Sequence, residues 1–334
     1  MQKRWIIQDD FDSEVVDILQ EELTVSYPIA RLLSQRGISN FEEAKDFFRP
    51  QLYHLYDPFL MKDMDKAVNR LTEAIGNEEN ILIYGDYDVD GTTSVATFYG
   101  FLQQYHKKME YYIPDRYKEG YGVSEEGIKY AVANDYSLIV TLDCGIKALD
   151  KIQLAKENGI DVIVCDHHTP GDQLPPAYAI LDPKREDCDY PYKELSGCGV
   201  GFKLLQGFCI QSGIETSKLF EYLDLLAVSI ASDIVPITGE NRTLAYFGLK
   251  KINHSPRPGL QALVDLCRGN KVVTITSIVF GIGPRINAAG RMDHAGSAVE
   301  LLLAKNKEEA DALADMVNTK NDARRDFDST ITEE

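Results

Sequence analysis

The chain is expected to fold as an α/β protein: a parallel sheet flanked by helices, preceded by a helical N-terminal cap and followed by a long C-terminal connecting helix. Two observations carry that expectation. Between residues 80 and 181, short β-branched and aliphatic runs alternate with amphipathic stretches. Such alternation is the sequence signature of strand–helix–strand units, whose parallel strands are buried on both faces and so read as nearly unbroken apolar runs. The second observation is that the apolar runs stop on acidic or imidazole residues.

Taken in order, residues 1–75 read as mostly helical. "YPIARLLSQRGISNFEEAKDFFRP" combines helical spacing, a glycine break, an Asn40 cap candidate and a stop before Pro50. From residue 80 the rhythm changes. "ILIYG" is a strand, "TTSVATFYGFLQQYH" a helix and "EYYIP" a second strand, followed by a helix near 124–133. "SLIVTLD" (137–143) precedes a helix near 147–158, and "DVIVCD" (161–166) precedes a proline-rich loop and "AYAILDP". A helix-rich segment runs from about 199 to 255, and "KVVTITSIVFGIGPRINAAGR" then reads as a strand-like run with a glycine-containing loop. The end, "NKEEADALADMVNTKNDARRDFDSTITEE", reads as one polar helix without a stop signal, of the kind that bridges to something else. The expected division is 1–75 cap, 76–304 catalytic domain and 305–334 connecting helix, in a fragment of a longer protein.

Bulk properties bound the function. The chain has 334 residues, is 44% hydrophobic and carries a formal charge of −18. That suits a soluble domain and argues against a surface that coats nucleic acid through general basicity, though not against a local basic groove. The cysteines Cys144, Cys165, Cys188, Cys198, Cys209 and Cys267 form no C-x-x-C pair, so reduced thiols and a cytoplasmic location are expected. "MQKRWIIQDDFDSE" lacks the apolar core of a secretory signal, and no run reaches the ~20 apolar residues of a membrane span.

The chemistry is concentrated at the strand ends. "ILIYG" runs into Asp86, Asp88 and Asp90; "SLIVTL" delivers Asp143; "DVIVC" delivers Asp166, His167 and His168; "LLAVSIAS", a helix or a strand, delivers Asp233. Each has an ordinary explanation, since an Asp after a strand often caps a helix. The D-x-D-x-D-G run also suggests a calcium loop, but the glutamate that loop requires is Thr97 here. The coincidence at one rim is what these explanations leave out. Open parallel sheets bind ligands beyond the carboxyl ends of their strands. Carboxylates so crowded stay ionised together only if cations neutralise them. Oxygen and imidazole ligands without thiolates suit Mn²⁺, with Mg²⁺ possible. The ligand number suits two ions roughly 3.5–4 Å apart, an arrangement used for phosphoryl transfer.

These residues resemble the metal-binding motifs of the DHH phosphoesterase superfamily. "YGDYDVDGTTS", "PDRYKEGYGVS", "DHHTPG" and "GPRINAAGRMDHA" are similar, more narrowly, to the RecJ branch of single-strand-specific 5′→3′ DNA exonucleases. The resemblance implies that Asp88 ligates the first metal and Asp90 the second, that Asp143 bridges both, and that His167 and Asp233 complete the second site. Asp86 then takes the first-metal role that a nearby upstream histidine has in related phosphatases, directly or through water, or else accepts a hydrogen bond behind the ligands. His168, acting with Asp143 and Asp90, would face the scissile phosphate and stabilise charge or protonate the leaving oxygen; Asp166 would orient the histidine pair. Gly91 would allow a tight turn into the next helix, with Thr92 or Thr93 as its cap. Arg116, Arg285 and Arg291, with Asn287, are candidates to anchor phosphate, Gly290 giving a tight turn where DNA approaches. Arg116 can equally pair with Asp115 or Glu119, and Tyr117 and Tyr121 can stack on bases or simply pack.

The implied reaction is two-metal hydrolysis of single-stranded DNA from its 5′ end, releasing 5′-mononucleotides, in DNA repair and recombination. Implied partners are single-stranded DNA, single-strand-binding protein and a helicase, with no membrane. In that family a second domain and an oligonucleotide-binding barrel accompany the core, and neither is in this chain. The N-terminal segment is expected to pack and to narrow an entrance to single strands. The alternatives are a related enzyme acting on short oligonucleotides or cyclic dinucleotides, and a non-catalytic scaffold.

Overall fold

Five short, largely apolar runs form one parallel sheet: β1 (Ile81–Gly85), β2 (Met109–Tyr112), β3 (Leu138–Leu142), β4 (Asp161–Cys165) and β5 (Ala179–Leu181). The computed structural model describes residues 4, 6–267, 272–292 and 296–333. The strand order is β2-β1-β3-β4-β5 and every pairing is parallel. Ile81 lies opposite Leu138 and Leu138 opposite Asp161, so the carboxyl ends of β1, β3 and β4 finish in step. The order turns back on itself between β1 and β3. This is the switch point where an open sheet leaves a crevice for ligands.

β1 and β3 are buried along their whole length, which explains why their sequences do not alternate. Leu82, Tyr84, Ile139, Val162, Val164 and Ile180 face one side, where they pack with Ile128 of α6 (Glu125–Ala133) and Ile152 of α7 (Leu149–Glu157). The other side is closed by helices that are apolar nearly all round. All of α5 (Val89–Leu102) except Tyr99 is buried, and α8 (Gly197–Ser212) and α9 (Leu223–Ser232) pack against it. A helix hydrophobic all round belongs inside a protein. α4 (Met64–Gly76) lies on α8, and α10 (Gly239–His254) on α9.

Contacts divide the chain into two units, Met1–Leu55 and Tyr56–Glu334. The first holds α1 (Ser13–Leu23), α2 (Tyr27–Ser34) and α3 (Phe41–Phe48) around Val16, Leu19, Ala30, Leu33, Ile38 and Ala44. Asp12 caps α1, and Asn40 caps α3 by accepting the Glu43 N–H at 3.0 Å. α4, grouped with the cap in the sequence reading, belongs to the second unit.

Beyond α11 (Pro258–Cys267) the expected strand and glycine loop are replaced by helix. α12 (Ile275–Ser277) continues through a π-helical turn, Ile278–Ile282, into α13 (Gly283–Met292). β-branched residues suggested a strand, but Ile278, Ile282 and Ile286 bury one helical face, and packing overrides propensity. "NAAGR" is therefore helix, not the tight turn expected around Gly290. α14 (Gly296–Leu303) and α15 (Lys307–Glu333) follow. α15 is not polar all round: Ala310, Ala314, Val317 and Asn321 are buried at helical spacing, and this narrow stripe packs on α11, α13 and α14. No helix among the described residues is long and apolar enough to cross a membrane, and all the cysteines are free.

One ion pair lies wholly inside the second unit. Lys203 Nζ is 2.8 Å from Glu240 Oε1, and neither side chain is more than 1% exposed. Lys203 also donates to Tyr56 O, and Glu240 accepts from Tyr190 Oη and Tyr56 N. Breaking a buried pair leaves an uncompensated charge, at about 3–5 kcal/mol. Glu240→Ala is expected to lower unfolding stability by that amount in urea titration. Lys203→Met/Glu240→Leu should recover a large part; a double variant no better than the single would show that the loss lies in the hydrogen bonds to Tyr190 and Tyr56.

Candidate metal centre

The crevice between β1 and β3 is lined first by the residues that end β1. Asp86 is fully buried; its Oδ1 accepts the Gly122 N–H at 3.2 Å, and its Oδ2 has no partner. Burial, then the charge of Asp88, pushes its pKa up to about 7. Asp88 is the N-cap of α5, its Oδ1 accepting the Gly91 N–H at 2.9 Å. The cap is thus Asp88 and not Thr92 or Thr93, whose hydroxyls lie inside the helix and donate to Asp88 O and Val89 O at 2.7 Å. Gly91 matters for proximity rather than for a turn: a Cβ there would sit 2.4 Å from Asp86 O.

Asp90, one residue into α5, is held from outside its own helix. Its Oδ2 accepts the Gly197 N–H at 2.7 Å; its Oδ1 accepts the Cys198 N–H at 2.9 Å and the Ser229 hydroxyl at 2.7 Å. Ser229 Oγ lies 2.6 Å from Ser196 Oγ, and Ser196 caps α8. The positive N-terminal end of α8 therefore clamps one carboxylate of the cluster. Ser196, Gly197, Cys198 and Ser229 were not singled out from sequence. The available signal was "SGCG", a serine cap followed by small residues. Gly197 is required by space, since a Cβ would stand 2.4 Å from Asp143 Oδ1.

Asp143 follows β3 in the left-handed region, at φ +61°, with its N–H donated to Cys165 O. Complete burial, then Asp90 and Asp88, holds its pKa well above the carboxylate range. Asp166 ends β4 and accepts from the N–H groups of Ile146 (2.9 Å), His167 (2.7 Å) and His168 (3.1 Å), and its Oδ1 lies 2.7 Å from His168 Nδ1. Burial raises its pKa, but the His168 ring and these donors outweigh it and the net shift is downward. Asp166 thus sits behind the histidines. The same hydrogen bond raises the pKa of His168, whose Nε2 is 3.4 Å from Tyr121 Oη. Asp182, at the end of β5, was also not singled out. It is fully buried with an unpartnered Oδ2, and burial pushes it up to about 7.

His167 is where the strand ends converge. Its Nε2 lies 3.1 Å from Asp143 Oδ1, 3.6 Å from Asp233 Oδ2 and 3.8 Å from Asp90 Oδ2. Asp233, the C-cap of α9, is pushed up to about 7 by burial and then by Asp90. The next residue, Ile234, has φ +60°. Two overlapping groups, Asp143–His167–His168 and Asp90–His167–Asp233, bring one ligand atom from each residue within 4.8 Å of the others. Despite the 3.1 Å separation, His167 Nε2 and Asp143 Oδ1 are not in hydrogen-bond geometry, and both are buried without a partner. An unsatisfied buried polar atom costs about 1–3 kcal/mol. A shared cation removes that penalty for both atoms at once, so the residues fit a divalent metal.

The cationic candidates are placed less uniformly. Arg116 is exposed, with its guanidinium 5.1 Å from the Tyr87 ring centroid. Glu119 accepts instead from Tyr112, Ser124 and Asp115 N, and Asp115 lies 3.7 Å from Lys118. Arg285 donates through Nε to Asn318 and through Nη1 to Gly281 O, tying α13 to α15. Asn287 is half-buried on α13, and the Arg291 side chain lies outside the described residues. Tyr117 and Tyr121 are exposed, Tyr121 making edge contacts with Tyr87 and His168. A cavity of about 540 Å³ opens beside His168, between Tyr121, Ile146, Lys147, Leu149 and Lys151.

Asp86 and Asp233 have folded-state pKa values raised to about 7, above their unfolded value. Folding therefore retains their protons, and the stability this lends at low pH is lost as pH rises through about 7. In chelator, the melting temperature is expected to fall as pH rises from about 4 to about 7, the span between the unfolded and folded values of these two groups. Asp86→Asn should shrink that fall and Mn²⁺ should abolish it. A melting temperature independent of pH in chelator would contradict the charge crowding.

A sequence model described as the DHH family, N-terminal domain, matches residues 80–230. A curated relative from Bacillus subtilis, the single-stranded-DNA-specific exonuclease RecJ, is 40% identical over 99% of this chain and 41% of its own length. The Escherichia coli relative of the same name is 35% identical over 90% of this chain and 53% of its own length. The chain spans 41 to 56% of the length of its first curated relatives. Among solved structures, exonuclease RecJ bound to manganese is 34% identical with a TM-score of 0.76, over 84% of this chain and 70% of that one. RecJ from Thermus thermophilus in complex with Mn²⁺ is 30% identical with a TM-score of 0.82, over 95% of this chain and 45% of that one. With its parallel sheet, its acidic strand ends and these likenesses, the chain belongs to the RecJ family, built on a DHH-family N-terminal domain.

Proposed function

We propose that this chain is the catalytic core of a single-strand-specific DNA exonuclease that removes 5′-mononucleotides by phosphodiester hydrolysis with two divalent cations, Mn²⁺ foremost and Mg²⁺ as the substitute. The observation that carries the reading is the buried, unpartnered pair His167 Nε2 and Asp143 Oδ1, ringed by carboxylates at the switch point of the sheet. Support comes from the relatives named as single-stranded-DNA-specific exonucleases and from RecJ structures holding Mn²⁺ or Mg²⁺.

Asp90, His167 and Asp233 would hold one cation, Asp88 and Asp86 the other, with Asp143 between them. Bound there, the cations would activate a water and neutralise charge on the phosphoryl oxygens. The remaining work belongs to the chain. The α8 clamp holds the Asp90 carboxylate in place and aims it. Asp166 fixes His168 through Nδ1, which leaves Nε2 to donate to the leaving oxygen. Arg116, exposed over Tyr87, offers a planar fork for a substrate phosphate. The cavity beside His168 has room for one nucleotide, with Lys147 and Lys151 on its wall. Local cations of this kind reconcile DNA binding with a net charge of −18. A place in repair and recombination, beside single-strand-binding protein and a helicase in the cytoplasm, follows from the same reading.

Digestion of end-labelled single-stranded and duplex DNA in Mn²⁺ tests it. Label should leave the 5′ ends of single strands, and His167→Ala should slow release at least ~100-fold, the scale of losing a charge-stabilising group. Arg116→Ala should raise KM more than it lowers kcat. Faster turnover of a cyclic dinucleotide than of long single strands, or release unaffected by His167→Ala, would contradict the proposal.

A further inference from the structure

Ile234 is the residue the fold explains least. It follows Asp233, the C-cap of α9, and has φ +60°. This left-handed position just past a helix end is where glycine is usual, because a side chain crowds the backbone there. A β-branched residue at such φ is a genuine outlier. The chain on either side is fixed. Asp233 N donates to Ser229 O at 3.0 Å, and Tyr192 Oη and Asn241 Nδ2 both donate to Pro236 O at 3.1 Å. Strain of this sort persists where the surroundings over-determine it, and it collects at functional sites.

The side chain gives the fold nothing in return. It is 78% exposed, whereas its neighbour Val235 is half-buried. If the left-handed turn served only to end α9 and aim Asp233, glycine or asparagine would do so with less strain. An apolar, branched side chain instead stands in solvent next to a candidate metal ligand. Apolar surface held there gains only when something apolar covers it.

We infer that Ile234 is a substrate-contact residue: its side chain packs on the apolar face of the deoxyribose or base adjoining the phosphate at Asp233. The inference rests on the nucleic-acid reading of this site and deepens it. It assigns the rim of the centre a non-ionic contact, so part of the affinity for a single strand should survive added salt.

The test compares the unaltered chain with Ile234→Asn, which tolerates the left-handed backbone, and Ile234→Val, which keeps the branch. Three quantities are measured: KM and kcat on a single-stranded oligonucleotide, the affinity for Mn²⁺ alone by calorimetry, and the melting temperature. Ile234→Asn is expected to raise KM at least five-fold, with kcat within two-fold, Mn²⁺ affinity unchanged and a melting temperature no lower than that of the unaltered chain. Ile234→Val should stay within two-fold throughout. An unchanged KM in Ile234→Asn overturns the inference. Weakened Mn²⁺ binding also overturns it and makes Ile234 a positioning residue for Asp233, and a lowered melting temperature makes its role structural. An unaltered chain that neither binds nor cleaves single strands overturns the nuclease reading, and this inference with it.

Discussion

Carboxylates at the ends of β1, β3 and β4, inside one buried crevice, repel each other, and the rest of the site is arranged around that repulsion. Each is handled differently. Asp88 is neutralised in part as a helix cap, and Asp90 by the N-terminal end of α8. Asp166 is paired with His168. Asp86 and Asp143 keep buried oxygens with no partner. No described side chain hydrogen-bonds to those last atoms, and a divalent cation would fit them. The fold thus supplies a partly discharged cradle rather than a bare acidic cluster.

The architecture makes this possible because the strands finish in register. With Ile81 opposite Leu138 and Leu138 opposite Asp161, the residues after β1, β3 and β4 are delivered to one level. Asp233 arrives from a helix end instead. α9 is buried among α5, α8 and α10, so the position of its last turn is set by packing on several sides. The left-handed backbone at Asp143 and Ile234 lies beside the two carboxylates nearest His167. Left-handed geometry costs a non-glycine residue roughly 1–2 kcal/mol, which the surrounding core over-determines.

Much of this was legible in the sequence. β1, β3 and β5 are nearly unbroken apolar runs, and the candidate ligands cluster just beyond the end of a strand or helix, so the alternation predicted both the layers and the rim. Three things were not legible. The helix through Ile278 and Ile286 carries β-branched residues that read as a strand, and only the packed face shows otherwise. The cap of α5 is Asp88 because the helix begins at Val89, one turn earlier than Thr92 and Thr93 suggested. The clamp on Asp90 comes from residues more than a hundred positions away, held by backbone N–H groups that any residue type possesses. Sequence spacing reports side chains near one another in the chain; it is silent on donors brought in by tertiary packing. Arg285 carries a contact that its motif did not suggest, since its guanidinium ties α13 to α15.

The most direct measurement is anomalous diffraction from a crystal of this chain equilibrated with Mn²⁺. Two peaks roughly 4 Å apart, with Asp143 between them and His167 and Asp233 on one, are expected. No peak within reach of His167 Nε2 and Asp143 Oδ1 would contradict the account at its root.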